Sequence, residues 1–389
     1  MGISLGLVGL GSFGSAFADL FKRHPLVDRI ALCDREPERV ARLANDPFFQ
    51  GKFDPRDAYG SLEDVLRSDV DAVAIITQPW LHAPQALAAL EAGKHVYSAV
   101  PISSVPDGDE ILDWCDRLVE ACSRTGLLYM LGETTYFRPE AMFCRRRAAE
   151  GAFGSFVYAE GEYFHDVDSA CNLREVQKSR LASKAGQEWI EQSRRYAERG
   201  IMGGPMHYPT HSASGPVCVM RAHAVKVTAY GYANQTGDPY FSGTAFSNET
   251  AFFQMSNGAV VRLCEHREIG HPGDETFRVF GTRGSYGDRL WRDNGTATRL
   301  TVAEMRDPLP PEVEEAFREG KKEAELYGGH GGSHPYLVHE FVDAVAHARQ
   351  PAINIWEAAR YMAMGVMAHK SALVDGERLD VPDWGDAPE

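Results

Sequence analysis

The sequence predicts an α/β domain followed by an α+β domain: a doubly wound, parallel Rossmann sheet, then a large, mostly antiparallel open sheet. Three observations favour this fold class. A G-x-G-x-x-G pattern follows an apolar run near the start, and apolar strands then alternate with amphipathic helices. From about Phe156 the hydrophobic period changes to two, which is typical of half-buried strands. We therefore expect domains at residues 1–132 and 133–389, with C-terminal helices packing back on the rest of the chain.

The glycine pattern GLGSFG has the context of a dinucleotide-binding turn, because a β-prone run precedes it and the helical pattern SAFADLFKRH follows. Gly9 would allow the tight turn, Gly11 would let the backbone approach a pyrophosphate, and Gly14 would let helix and strand pack closely. The free N–H groups at the helix start would face the phosphates. They belong to Ser12 and Phe13.

The second strand, RIALCD, ends at an acidic residue that can bind the adenosine ribose diol. This residue is Asp34, and it favours NAD over NADP, although Arg35 beside it could accept a 2′-phosphate. Cofactor and substrate would meet where the parallel strands end. The residues expected at this rim are Thr77, Gln78, Pro79, His82, Ser98, Val100, Pro101 and Glu133. A helix-capping or solvated role is the alternative for His82.

Composition excludes several classes of function. The formal net charge of −15 argues against a nucleic-acid partner. The seven cysteines form no C-x-x-C pair, so neither a zinc site nor a disulfide framework is expected, and a cytoplasmic setting is the simplest account. No apolar run has transmembrane length, and the start MGISLGLVGLGSFG is not a signal peptide. We expect a protein without a metal and without a membrane partner.

The order of these elements, with GLGSFG, TQPWLHAPQALAALEAGKHVYSAVP and AAEGAFGSFVYAEGEY, resembles the Gfo/Idh/MocA oxidoreductases over nearly the whole chain. That family usually has Glu-Lys-Pro after its fourth strand, with the lysine as catalytic acid/base. Here the corresponding residues are Ala99, Val100 and Pro101. The missing lysine counts against the mechanism of an ordinary sugar dehydrogenase.

Four further blocks resemble a narrower branch, the NAD-dependent redox glycosidases, which include α-N-acetylgalactosaminidases and enzymes acting on sulfoquinovosides. The blocks are LGETTYFRPE, AEGEYFHD, HYPTHSASGPV and GGHGG. The resemblance implies that bound NAD takes a hydride from C3 of the sugar, which acidifies the C2 proton. A base removes that proton, the aglycone leaves C1, water adds, and the hydride returns to C3.

The resemblance also implies roles for individual residues. His211 would accept the proton of the C3 hydroxyl, Tyr163 would take the C2 proton, and Glu133 would hold a sugar hydroxyl or assist the leaving group. A phenol has a pKa of about 10 and needs a neighbouring cation or donor to act as a base, and His165, two residues along the same strand, could supply it. Further candidates are Tyr208 at the nicotinamide and His207, Thr210 and His330 at the substrate. The alternatives are a half-buried sheet position for Tyr163, a turn hydrogen bond for His207 and a loop position for His330.

An insert between Val167 and Met202 matches neither resemblance and is rich in cations: Arg174, Lys178, Arg180, Lys184, Arg194, Arg195 and Arg199. Such an excess on an acidic chain predicts an anionic substrate group, for example a sulfonate or carboxylate. A solvated helix with ion pairs is the alternative. An NAD-dependent sugar or cyclitol dehydrogenase and a nucleotide sensor remain the competing functions. By resemblance, a homodimer or homotetramer is expected.

Overall fold

Six parallel strands form the N-terminal sheet in the computed structural model of the chain, which describes residues 2–168, 172–271, 273–319 and 329–388. Their order across the sheet is β3–β2–β1–β4–β5–β6, the doubly wound arrangement that the sequence predicts. The strands are β1 (Ile3–Val8), β2 (Val27–Cys33), β3 (Ala58–Tyr59), β4 (Ala72–Ile75), β5 (His95–Ser98) and β6 (Tyr129–Leu131).

Helices connect these strands, and their ends follow ordinary capping rules. The helices are α1 (Ser12–Arg23), α2 (Pro37–Ala44), α3 (Leu62–Arg67), α4 (His82–Glu91) and α5 (Gly108–Thr125). In α5, the Asp107 carboxylate accepts hydrogen bonds from the N–H groups of Asp109 and Glu110, and the helix ends at Gly126 with a left-handed φ of 69°. Its apolar face, around Leu118, is completely buried.

Nine strands form the second sheet, in the order β14–β13–β12–β11–β7–β10–β9–β8–β15. Within this second sheet, only the β7–β10 pair is parallel among the described strands, which confirms that the sheet is mostly antiparallel. The strands are β7 (Phe156–Phe164), β8 (Ala224–Tyr232), β9 (Asn248–Met255), β10 (Val260–His266), β11 (Asp274–Gly281), β12 (Gly284–Gly287), β13 (Leu290–Asp293), β14 (Thr296–Arg299) and β15 (Leu379–Asp380).

The helices of the second half complete the chain: α6 (Pro139–Ala149), α7 (Leu173–Ala182), α8 (Lys184–Glu198), α9 (Thr210–Met220), α10 (Val302–Met305), α11 (Pro311–Arg318), α12 (His334–Ala346) and α13 (Ile355–Leu373). The last of these, α13, packs against both α5 and β8, so the C-terminal helices pack back as predicted. The domain boundary after residue 132 stays a prediction. Among the ranges described above, no helix has the length and apolarity needed to cross a bilayer.

The two faces of the second sheet differ in what covers them. Helix α9 packs on the inner face, where a Cβ atom on Gly161 would lie 1.9 Å from the carbonyl oxygen of Ser212. Only glycine permits this close approach of helix and strand. The outer face exposes Tyr230, Phe252 and Val260, with 61%, 46% and 41% of their surface accessible.

Candidate active site

A cleft of about 1510 Å³ runs from the glycine turn of the first domain to the inner face of the second sheet. Helix α7 of the insert lines its outer side through residues such as Val176 and Arg180. Pockets for a single small ligand are usually about 300 to 1000 Å³, so this cleft has room for a dinucleotide and a second molecule.

The glycine turn fits a pyrophosphate. Gly9 has a φ of 93°, and a Cβ atom there would lie 2.3 Å from the Ile76 carbonyl oxygen. A Cβ atom on Gly14 would lie 1.9 Å from the carbonyl oxygen of Gly9, whereas a Cβ atom on Gly11 would meet nothing within 4 Å. No side chain caps α1, so its first N–H groups, beginning at Ser12, are available to an anion. Gly9 and Gly14 thus have the close contacts that the predicted turn and helix packing need, and the role of Gly11 at a pyrophosphate stays a prediction.

Asp34 is held at the end of β2, where a ribose diol would bind. Its carboxylate accepts hydrogen bonds from the N–H groups of Leu10, at 2.7 Å, and Glu36, at 2.9 Å. The neighbouring Arg35 guanidinium, however, donates to both carboxylate oxygens of Glu188 in the insert, at 2.8 and 2.6 Å. Arg35 lines the cleft, but it would have to leave Glu188 to accept a 2′-phosphate, so the pairing does not favour the alternative that the sequence raises.

Five of the eight predicted rim residues line the cleft, namely Thr77, Gln78, Pro79, His82 and Val100, whereas Glu133 is completely buried and does not. The predicted cofactor residues Phe13 and Tyr208 also line it. The buried imidazole of His82 lies 2.9 Å from the Pro101 carbonyl oxygen and 3.3 Å from that of Thr77, so it links two strand ends and neither caps α4 nor faces solvent. Burial lowers the pKa of His82 to about 4, so the ring is neutral. Ser98 and Pro101 are buried behind the rim, which corrects their assignment to cofactor binding.

Three acidic or phenolic side chains lie in register on neighbouring strands of the inner face. Glu265 on β10 and Glu275 on β11 both pair with Tyr163 on β7. Because α9 packs closely over this face, the His211 ring lies 4.9 Å from the Tyr163 ring, measured between centroids. The Tyr208 ring lies 5.5 Å from His211, and its hydroxyl donates to the Val100 carbonyl oxygen. The structure thus brings together residues from four elements at one end of the cleft.

His211 forms a buried ion pair with Glu133. Its Nδ1 lies 3.1 Å from Oε1 of Glu133 and 3.8 Å from Oε2 of Glu275. Burial alone would lower the pKa of His211, but the two carboxylates raise it to about 9. Against the opposing effect of burial, His211 in turn holds the pKa of Glu133 below its usual range. Since Nδ1 is engaged, Nε2 is the nitrogen that can serve a ligand in the cleft.

The cation beside Tyr163 is Arg267, which the sequence analysis missed. Its guanidinium lies 4.4 Å from the centroid of the Tyr163 ring and donates to the Tyr163 carbonyl oxygen and to Glu265. Burial raises the pKa of Tyr163 well above its usual value, and Arg267 opposes that shift. His165, whose ring lies 5.3 Å from that of Tyr163, has its pKa lowered by burial and then by Arg267, which disfavours a cation there; its predicted role as a donor beside Tyr163 stays a prediction. Alternation along CEHREI places Arg267 on the face of Glu265, which is the signal that could have found it.

Several predicted substrate residues do not line the cleft, which corrects their assignment. His207 is buried, with Nδ1 3.1 Å from the Val105 carbonyl oxygen, and Thr210 is completely buried in α9. Four insert cations lie elsewhere on the surface: Arg174, paired with Asp168 and Asp238; Lys178, paired with Glu175; Arg194, paired with Glu191; and the exposed Arg195. For them the solvated, ion-paired alternative holds.

His330 does line the cleft, with a φ of 52° and Nδ1 3.0 Å from Nε2 of His334. Its ring lies 5.8 Å from that of Phe13, beside the glycine turn. Within the described part of the chain, no group of three or more His, Cys, Asp or Glu side chains could hold a metal ion.

Comparisons with known proteins agree with the fold described above. Residues 3–133 match the family described as "Oxidoreductase family, NAD-binding Rossmann fold", and residues 241–387 match "Glycosyl hydrolase 109, C-terminal domain". A glycosyl hydrolase family 109 protein of Stenotrophomonas maltophilia is 26% identical over 98% of this chain and 89% of its own length. An α-N-acetylgalactosaminidase of Shewanella oneidensis is 20% identical over 98% of this chain and 85% of its own. The structure of scyllo-inositol dehydrogenase from Lactobacillus casei, solved with NAD(H) and scyllo-inositol, matches with a TM-score of 0.66 at 15% identity. The match covers 98% of this chain and 99% of that one, and it concerns the fold alone.

Proposed function

Because the chain combines a Gfo/Idh/MocA NAD-binding Rossmann domain with a glycosyl hydrolase 109 C-terminal domain, we propose that it is an NAD-dependent glycosidase that cleaves its substrate by transient oxidation at C3. The observation that carries the proposal is the single cleft that joins the glycine turn to the pair of His211 and Tyr163. When bound, the nicotinamide would supply a reversible hydride acceptor for C3 of the sugar. The residues of the chain supply the proton transfers.

His211 is the group proposed to exchange the proton of the C3 hydroxyl through Nε2. Its Nδ1 is oriented by Glu133, and the carboxylates of Glu133 and Glu275 stabilise the imidazolium that forms. The ion pair fixes the ring and makes it a stronger base than an ordinary histidine, because its pKa is raised to about 9.

Tyr163 is the group proposed to take the C2 proton, which the C3 ketone acidifies. The phenolate that results would lie beside the Arg267 guanidinium, which stabilises the negative charge. With the C2 proton removed, the bond from C1 to the aglycone breaks, and the departing oxygen receives a proton. Addition of water across C1 and C2 gives the 3-keto sugar, and return of the hydride to C3 would then complete a hydrolysis without net oxidation.

An NAD-dependent dehydrogenase would use the same cleft but needs an acid/base beside the nicotinamide. At the position where the resembling dehydrogenases have lysine, this chain has Val100, which lines the cleft and has no titratable group. This difference supports the glycosidase.

The proposal is tested by incubating the protein with NAD⁺ and a panel of nitrophenyl glycosides in D₂O. A glycosidase of this mechanism releases nitrophenol, incorporates deuterium at C2 of the sugar and accumulates no NADH. Accumulation of NADH with an intact glycoside would instead show a dehydrogenase. Release of nitrophenol without label at C2 would contradict the elimination.

We further propose that the glycoside carries an anionic group that contacts Arg180. Of the insert residues that the sequence singles out, Arg180 lines the cleft and forms no ion pair with any described residue. Burial raises the pKa of Tyr208 and of Tyr240; the charge of Arg180 opposes the shift at Tyr208, and the charges of Arg267 and then Arg180 oppose it at Tyr240.

Matched glycosides that differ only in an anionic group test this substrate class. We expect the charged substrate to have the higher kcat/KM and Arg180→Met to lower kcat/KM by about tenfold for that substrate alone. Lys178→Met, on the exposed side of the same helix, is the control. Equal kcat/KM values for both substrates would contradict the proposed anionic group. They would favour a neutral sugar, as the name of the Shewanella relative suggests.

A further inference from the structure

The insert reaches over the end of β2 and holds the residues beside Asp34. Glu188 of α8 binds Arg35 through two parallel hydrogen bonds of 2.8 and 2.6 Å. One turn earlier, Lys184 donates to the Arg35 carbonyl oxygen at 2.7 Å and lies 3.5 Å from the Glu36 carboxylate. The first turn of α8 is thus attached to the segment that would surround the adenosine ribose.

Two more contacts fix α8 in this position. The Trp189 ring stacks on that of Trp80 with 4.9 Å between centroids and 15° between planes. The Tyr196 hydroxyl donates to Glu110 of α5 at 2.7 Å. Glu188 therefore lies on a helix that is anchored to the first domain at both ends. Its position opposite Arg35 depends on these contacts as well as on the exposed ion pair.

Three of the cations around the expected 2′-hydroxyl are held in ion pairs, and Arg42, which lines the same cleft, donates to the Leu10 carbonyl oxygen and to Ser15 Oγ. Arg35 is paired with Glu188, Lys184 with Glu36, and Arg39 lies 3.5 Å from Asp34. A 2′-phosphate would bring about −1.5 to −2 further charges to this position. To bind it, a cation would have to leave its carboxylate, and that carboxylate would remain nearby.

We propose that Glu188 determines cofactor choice: by holding Arg35, it prevents binding of a dinucleotide with a 2′-phosphate. The inference rests on the proposed dinucleotide binding and assigns a residue of the insert, outside the nucleotide-binding domain, to the discrimination. Asp34 selects for the free ribose diol, Arg39 is paired with Asp34, and Glu188 holds the guanidinium of the residue next to Asp34.

The experiment measures which dinucleotide the protein holds, independently of glycoside cleavage. Purified protein is equilibrated with an equimolar excess of NAD⁺ and NADP⁺, freed of unbound nucleotide and denatured, and the released dinucleotides are separated by chromatography. Four proteins are compared: wild type, Glu188→Gln, Glu191→Gln and the double variant Glu188→Gln/Arg35→Gln. Glu191 is the matched control, because it lies on the same helix and pairs with the exposed Arg194.

We expect wild type and Glu191→Gln to hold NAD almost exclusively. Glu188→Gln should raise the bound NADP to NAD ratio by roughly tenfold, because the released guanidinium can bind phosphate bidentately. The double variant should return to the wild-type ratio. An unchanged ratio in Glu188→Gln, or an equal rise in Glu191→Gln, would overturn the inference. Absence of both dinucleotides from wild type would overturn the proposed function, and this inference with it.

Discussion

His211 shows how two carboxylates set the pH range of a proposed base. Its pKa of about 9 is well above the ordinary value of about 6.5, because Glu133 and Glu275 outweigh the effect of burial. Since the pKa is raised in the folded state, the ion pair stabilises the fold fully below about pH 6.5, and this contribution is lost as the pH rises through about 9.

Glu133→Gln tests the coupling between these two residues. If neutral His211 accepts the C3 hydroxyl proton, kcat/KM of the wild type should rise with pH up to about 9. The variant lacks the carboxylate charge, so the pKa of His211 falls and the rise moves to lower pH. The measurement is the pH profile of kcat/KM with a chromogenic glycoside, with Glu150→Gln, at an exposed end of α6, as control. A profile that does not move would contradict the assignment.

Tyr163→Phe tests the base at C2. Removing the hydroxyl should lower kcat by about 10²- to 10⁴-fold and abolish exchange of the C2 hydrogen with solvent deuterium, while the dinucleotide content stays unchanged. Tyr158→Phe is the matched control, because Tyr158 lies on the same strand but its hydroxyl contacts Glu160 on the outer face. Persistent C2 exchange in Tyr163→Phe would exclude this tyrosine as the base.

At the scale of elements, the approach of α9 to β7 brings His211 and Tyr163 together. Gly161→Ala would place a Cβ atom 1.9 Å from the Ser212 carbonyl oxygen, so α9 must shift. We expect a loss of about 1–3 kcal/mol in the free energy of unfolding and about a hundredfold lower kcat, with dinucleotide binding retained. Gly243→Ala is the control, since its Cβ would meet nothing within 4 Å. Wild-type turnover in Gly161→Ala would show that this spacing is not required.

The elements also show where prediction from the sequence ends. The glycine turn, the end of β2 and the strands of the second sheet follow from local periodicity and turn residues, and the structure confirms them. Arg267 beside Tyr163 depends on which strands pair, and Arg35 opposite Glu188 depends on how the insert packs. These contacts join residues more than a hundred positions apart, so a local pattern can give the face on which a side chain lies but not its partner.

At the scale of the whole molecule, the two faces of the second sheet carry different kinds of side chain. Its inner face holds Tyr163, Glu265 and Glu275, and its outer face exposes Tyr230, Tyr232, Phe252 and Val260. The expected homodimer or homotetramer stays a prediction, as does the cytoplasmic setting. Within the described ranges, the C-terminal helix α13 contacts α5 of the first domain and β8 of the second sheet.

The central claim is that the dinucleotide takes part in every turnover although no net oxidation occurs. The most direct measurement strips the protein of its dinucleotide under conditions that keep it folded and follows cleavage of a chromogenic glycoside. The account predicts that cleavage stops and returns on addition of NAD⁺. Cleavage by the stripped protein at the rate of the intact one would contradict it.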